Sequence, residues 1–186
     1  NADFYEISRD QAEEMHPLAN FDGVKYFAFE ADGGNVDPSG VTMAYAAGAR
    51  KLGAEINRLT PVTATVPQAD GTWIVETPKG NIHTEWVVNV AGLWGREVAA
   101  LAGFELPLLP TQHQYFVTET IPEIAALSKR LPSIADRDAE YYMRQEGQGL
   151  LIGAYEKDMR FWAEEGTPQG FGHELFADDL DRIMDN

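Results

Sequence analysis

Nine residues from Trp86 to Trp94, WVVNVAGLW, narrow the folds open to this chain more than any other stretch. Val87, Val88 and Val90, interrupted only by Asn89, form a nearly continuous apolar run; Ala91 and Gly92 follow, and a helical pattern opens at Trp94. That order predicts a strand, a tight glycine turn and a helix. A strand apolar on both faces belongs in the parallel part of an α/β sheet, where ligands bind beyond the carboxyl ends of the strands. Ala91 and Gly92 fall at that end, and without bulky side chains there a flat or phosphate-bearing group can come close to the backbone. An ordinary strand-to-helix connection accounts for the same nine residues equally well.

The rest of the chain supplies the neighbours. A short extended piece at Phe4 to Ile7 and a polar helix over Asp10 to Met15 come first, then a strand pattern over Val24 to Glu30. Asp37 and Pro38 predict an N-cap and a first-turn proline for a helix running to Leu52, with Val41, Ala44, Tyr45, Gly48 and Leu52 on one face and Gly53 closing it. Ala54 to Ile56 after it reads as a short strand, completing half of a βαβ unit. Pro61 to Val66, Thr72 to Thr77 and Asn81 to Thr84 predict an antiparallel meander, with turns at Asp70-Gly71 and Lys79-Gly80. Trp94 to Ala102 is expected to be a helix.

Two prolines at 107 and 110 mark a crossing. Beyond it, Gln112 to Thr118 predicts a strand, Pro122 to Leu127 a short helix, and Glu140 to Arg144 with Gly149 to Tyr155 a hairpin. Glu164 to His173 reads as loop and Ala177 to Met184 as a final amphipathic helix. The fold class is therefore α/β to α+β: residues 36–106 as a partial cofactor lobe of α/β type carrying a small β-meander, and 1–35 with 107–186 as a second lobe on a mainly antiparallel sheet.

Composition removes several function classes. Thirty acidic residues against fourteen basic ones leave a formal charge of −16 over 186 residues, which repels nucleic-acid phosphates and anionic membrane surfaces. The absence of cysteine excludes disulfides, thiolate metal sites and a cysteine nucleophile, and fits a reducing compartment, so a cytoplasmic location is expected. No apolar run approaches the roughly 20 residues of a membrane span. His16, His83, His113 and His173 are scattered without ligand spacing, so no metal site is expected. The chain opens at Asn1 without a methionine and is expected to be an internal segment.

Four stretches together carry a resemblance: GGNVDPSGVT at 33–42, VVNVAGLW at 87–94, HQYFVT at 113–118, and YYMRQE at 141–146 followed by LLIGAYE at 150–156. They resemble the dimethylglycine and sarcosine dehydrogenases and oxidases, within the wider D-amino-acid-oxidase-like group of FAD-dependent oxidoreductases, over nearly the whole chain. The turn at 87–94 is common to the wider group and implies FAD; the last two stretches are the narrower signal. The GxGxxG turn that the family places near its N-terminus, where a pyrophosphate rests on a helix dipole, is absent here, and FAD binding by this chain alone is expected to be weak.

The resemblance implies roles for individual residues. His113 matches a histidine beside the flavin and Tyr142 a tyrosine at the same active site, although spacing alone makes His113 a half-buried strand histidine and Tyr142 an aromatic core residue. Val62 matches a backbone contact to the adenine of FAD, while Ala91, Gly92 and Trp94 form the close-approach turn, Trp94 serving equally well as a core anchor. Arg144 shares the face of Tyr142; it could pair with a substrate carboxylate or neutralise a neighbouring acid. The implied chemistry is hydride transfer from the N-methyl carbon of dimethylglycine or sarcosine to flavin, with the iminium product hydrolysed or passed to folate. A non-catalytic interaction segment without flavin, or an FAD enzyme for another amino acid or glycerol phosphate, are the alternatives.

Overall fold

A computed structural model describes residues 3–172 and 174–183. In chain order the elements are β1 (Phe4–Glu6), α1 (Arg9–Met15), β2 (Ala28–Glu30), α2 (Pro38–Lys51), β3 (Ala64–Pro67), β4 (Trp73–Glu76), β5 (Ile82–Thr84), α3 (Gly95–Ala100), β6 (Thr111–Gln112), β7 (Tyr115–Val117), α4 (Pro122–Ala125), β8 (Ile134–Asp136), β9 (Tyr141–Glu146), β10 (Gly149–Ala154) and β11 (Arg160–Phe161). Single 3-10 turns cover Gly92–Trp94 and Leu180–Ile183. Among the described residues every strand pairing is antiparallel. The mixed α/β class with antiparallel sheets is as expected.

Two compact units are present: Asn1–Asp37, His113–Asp158 and Asp178–Asn186 form one, and Pro38–Gln112 with Met159–Ala177 the other. The first unit is built on a four-stranded sheet in the order β7-β10-β9-β8, with the β1-β2 pair as a separate ribbon. Its buried apolar residues are Ala12, Phe21, Ile124, Leu131, Leu151, Ala154 and Ile183. Ser8 starts α1 with a capping box, its hydroxyl accepting from the Gln11 amide while the Gln11 side chain accepts from the Ser8 amide.

At the end of α1, His16 is buried, its backbone N–H bonded to Ala12 O and its Nδ1 without a hydrogen-bond partner among the described residues. Burial lowers its pKa, outweighing a backbone hydrogen bond that raises it. The unfolded chain takes up a proton near the ordinary value of about 6.5, where the folded chain resists it, so this residue's contribution is intact above that pH and is lost as pH falls below it. Thermal melting of His16→Leu beside the parent is expected to show a flatter loss of stability between about pH 7 and 5. Equal slopes in the two proteins would show that the histidine is not held neutral by burial.

The second unit contains the β3-β4-β5 meander and the small β11-β6 pair. The meander turns as its residues require: Gly71 and Gly80 take φ of +87° and +125°, conformations that a side chain resists. Helix α2 ends at Gly53, φ +93°, with the Ala54 amide bonded back to Ala49 O.

Several expected elements take another form. Val87 to Val90 is not a strand: no described segment pairs with it, and Val88 and Val90 are 76% and 87% exposed. An extended apolar run becomes a strand only where a neighbour satisfies its backbone groups. Ala54 to Ile56 lacks a partner in the same way, so the βαβ half-unit is not formed among the described residues. Most of the expected inward face of α2 is exposed, Tyr45 at 77% and Leu52 at 91%, with only Val41 half-buried; the helix follows from its proline start and alanine-rich run and not from burial.

The expected strand Gln112 to Thr118 is split into β6 and β7, because the Gln114 amide leaves the ladder and donates to Glu156. In place of the final amphipathic helix the chain forms the short 3-10 turn Leu180–Ile183; Met184 lies outside the described residues, as does His173.

Candidate functional site

Register in the four-stranded sheet decides which side chains meet. Gly153 of β10 is paired with Tyr142 of β9 on one side and Tyr115 of β7 on the other. With no side chain at Gly153, the Tyr142 ring lies across that position: a Cβ built there would stand 2.6 Å from Tyr142 Cε1 and closer still to Cζ and the hydroxyl. Tyr155, just past the end of β10, lies 5.8 Å from Tyr142 ring to ring at 56°, and stacks on His113 at 5.4 Å and 18°. His113 and Tyr142 are thus brought into one aromatic cluster with Tyr155 between them.

Behind His113 sits Glu156. Its Oε2 is 2.7 Å from His113 Nδ1 and its Oε1 accepts the Gln114 amide at 3.1 Å. The carboxylate side chain is 5% exposed while His113 is 39% exposed, so the acid is inside and the ring faces outward. Burial pushes the Glu156 carboxyl up, but the hydrogen bonds from His113 and the Gln114 amide outweigh it and hold it below its ordinary range. Burial pushes the Tyr142 hydroxyl up, and the neighbouring Tyr155 and Tyr115 add to the rise; Arg144 opposes it. Near neutral pH the site therefore holds an ionised acid beside the His113 ring, and a protonated phenol that can donate a hydrogen bond.

Arg144 stands on the same face of β9 as Tyr142 and donates from its guanidinium to Glu146 on the same strand. Of the two roles the sequence left open for it, this arrangement shows the neutralising one in place.

Apart from Tyr142, which was also expected to touch the cofactor, the residues expected to meet it belong to the other unit. Val62 lies before β3 and is exposed. Ala91 precedes the Gly92–Trp94 turn, in which Gly92 has φ +54°. Asn89 staples this turn, its Oδ1 accepting from the Ala91 amide at 3.1 Å and its Nδ2 donating to Gly95 O at 2.8 Å. Trp94 Nε1 donates to Pro168 O at 3.0 Å, which makes its ring an anchor for the 163–168 loop. That loop is further held by Arg96, which donates to Ala163 O and Glu164 O, and by Glu97, which accepts the Thr167 amide at 2.7 Å.

A Cβ at Gly92 would meet nothing within 4 Å. The turn is open to the approach of a flat group, as FAD requires, but it is not a walled cradle, and among the described residues no glycine-rich phosphate loop accompanies it.

Glu156, Tyr155 and Gly153 are the site residues that sequence reasoning did not single out. They lie inside the LLIGAYE stretch, and their signal is positional: a glycine facing a tyrosine across a hairpin, followed at the strand end by an aromatic residue and an acid.

Over 187 aligned residues the chain is 46% identical to mitochondrial dimethylglycine dehydrogenase of Mus musculus, covering 98% of this chain and 22% of the relative. It is 35% identical to mitochondrial sarcosine dehydrogenase of Homo sapiens, covering 89% of this chain and 18% of that protein. The chain therefore spans about a fifth of the length of these relatives. Among solved structures, L-proline dehydrogenase from P. horikoshii shares the fold with a TM-score of 0.71 at 24% identity, over 97% of this chain and 46% of that one. The family model for FAD dependent oxidoreductases, DAO, matches residues 1–186, and the chain belongs to that family.

Proposed function

We propose that this chain works within a flavoenzyme that oxidatively demethylates an N-methylated glycine, dimethylglycine or sarcosine. The observation that carries the reading is the His113–Tyr155–Tyr142 cluster with a buried carboxylate behind the histidine, in a chain so similar to dimethylglycine dehydrogenase. An amine gives up hydride from its N-methyl carbon only when its nitrogen lone pair is free. His113, its Nδ1 engaged by Glu156, offers Nε2 to take the ammonium proton; the Tyr142 hydroxyl, kept protonated, orients the amine by a hydrogen bond. FAD, when bound, supplies the hydride acceptor. The iminium product is then hydrolysed or passed to folate. Arg144 is retained as a proposed partner for the substrate carboxylate, in exchange for Glu146.

In this reading 36–106 form the partial cofactor lobe, and 1–35 with 107–186 the substrate lobe. Val62 and the Ala91, Gly92 and Trp94 turn would meet the adenine and the flat edge of FAD. Because that turn is open and lacks a phosphate loop, the 186-residue chain is expected to bind FAD weakly, without a stoichiometric end point in a fluorescence titration. Tight one-to-one binding would show that these residues hold the cofactor unaided. A cytoplasmic location, and the lack of nucleic-acid or membrane partners, rest on composition and charge alone.

The substrate reading is tested by anaerobic bleaching of the flavin-loaded enzyme with dimethylglycine, sarcosine, proline and glycerol phosphate. Reduction is expected with the two N-methylglycines. If proline or glycerol phosphate alone reduces the flavin, the family stands and the N-methylglycine assignment falls.

A further inference from the structure

We infer that Glu156, held by the Gln114 amide with the charge of Arg182 nearby, is a positioning residue that fixes His113 with its proton on Nδ1 and Nε2 turned to the substrate. The inference rests on the proposed role of His113 and adds what makes that role available.

The geometry is a set of hydrogen bonds and ion pairs around one buried acid. Glu156 receives His113 Nδ1 on one oxygen and the Gln114 amide on the other. Arg182, 9% exposed, has its Nη2 3.8 Å from Glu156 Oε1, donates from Nη1 to Asp158 O at 3.1 Å and places Nε 2.9 Å from Asp179 Oδ2. Asp179 is in turn clamped by the Gln114 side chain, whose Oε1 accepts the Asp179 amide at 3.2 Å and whose Nε2 donates to Asp179 O at 2.5 Å. A carboxylate bound at both oxygens by the backbone and a histidine cannot rotate, so the ring it holds cannot either.

An ionised carboxylate only accepts, so the nitrogen facing it must carry the hydrogen. That leaves Nε2 of the neutral ring with its lone pair, as a proton acceptor needs. A clamp whose sole duty was to hold the 178–183 turn on the sheet would need Arg182, Asp179 and Gln114 but not a half-exposed histidine.

The decisive measurement is the His113 tautomer, read from long-range proton–nitrogen correlations on protein with 15N-labelled histidine above the pH at which the ring charges. The Nδ1–H form is expected in the parent protein. In Glu156→Gln the amide cannot accept at both ends, and His113 is expected to populate both tautomers. The limiting rate of flavin reduction in the flavin-loaded enzyme is expected to fall roughly tenfold to a hundredfold, with little change in KM.

An Nε2–H ring in the parent overturns the inference without any variant. So does a Glu156→Gln protein that keeps both tautomer and rate while His113→Ala slows reduction; in that case the role of His113 stands and only the positioning fails. A tautomer set by Glu156 alongside an unaltered rate in His113→Ala supports the positioning and removes the proposed role of His113.

Discussion

In the flavin-loaded enzyme, His113→Ala is expected to slow flavin reduction by dimethylglycine or sarcosine by roughly 10² to 10⁴, about 3 to 5 kcal/mol of barrier. The size follows from the proposed role: Nε2 would take the proton that otherwise ties up the amine lone pair, and solvent would be a poorly placed substitute. Folding should change little, because His113 is 39% exposed and its loss leaves Glu156 still bonded to the Gln114 amide and paired with Arg182. Tyr142→Phe keeps the ring packed against Tyr155 and removes only a hydroxyl, so its effect should fall at or below the lower end of that range. If both residues were ordinary packing groups the pattern would invert, with lower melting temperatures and near-normal turnover of the folded fraction. Stopped-flow reduction measured beside thermal melting separates the two cases. Unaltered reduction in both variants would leave the family assignment in place and withdraw both residues from the chemistry.

How much of this was legible beforehand depended on whether the signal was local. The meander and the end of α2 were legible because Gly71, Gly80 and Gly53 sit at left-handed backbone positions that their own neighbours demand. The fate of Val87 to Val90 was not, since β-branched residues show a preference for extended backbone but do not show whether another segment lies alongside to pair with it. The break between β6 and β7 had no local trace at all; it exists because a carboxylate forty-two positions along the chain takes the Gln114 amide. His113 and Tyr142 were nameable through resemblance. Gly153 acts through hairpin register, where a shift of one residue would have turned it to the other face, and Tyr155 and Glu156 take their places just past the end of the same strand.

Gly153→Val is expected to be the most damaging single change near the site, for a reason that contains no chemistry of its own. Gly153 lies in a paired central strand, where valine is ordinarily welcome. Here the space above it is filled by Tyr142, and even the first added carbon would stand 2.6 Å from Tyr142 Cε1. Either the tyrosine leaves its place beside Tyr155 or the β9-β10 pairing opens, and overpacking of this kind costs about 1–3 kcal/mol.

The two explanations for that loss, a general intolerance of β10 and a specific collision with one ring, are distinguished by a double-mutant cycle with Tyr142→Ala. A collision predicts that valine costs much less once the ring is gone, with a coupling of about 0.5–3 kcal/mol in denaturant unfolding. Additive losses would mean that the glycine is needed by the strand and not by Tyr142. Gly153→Ala, which adds only the clashing carbon, should keep more stability than the valine variant and still move the tyrosine. If Tyr142 orients the amine, flavin reduction in Gly153→Ala should therefore fall at least as far as in Tyr142→Phe, although no group that touches the substrate has been removed.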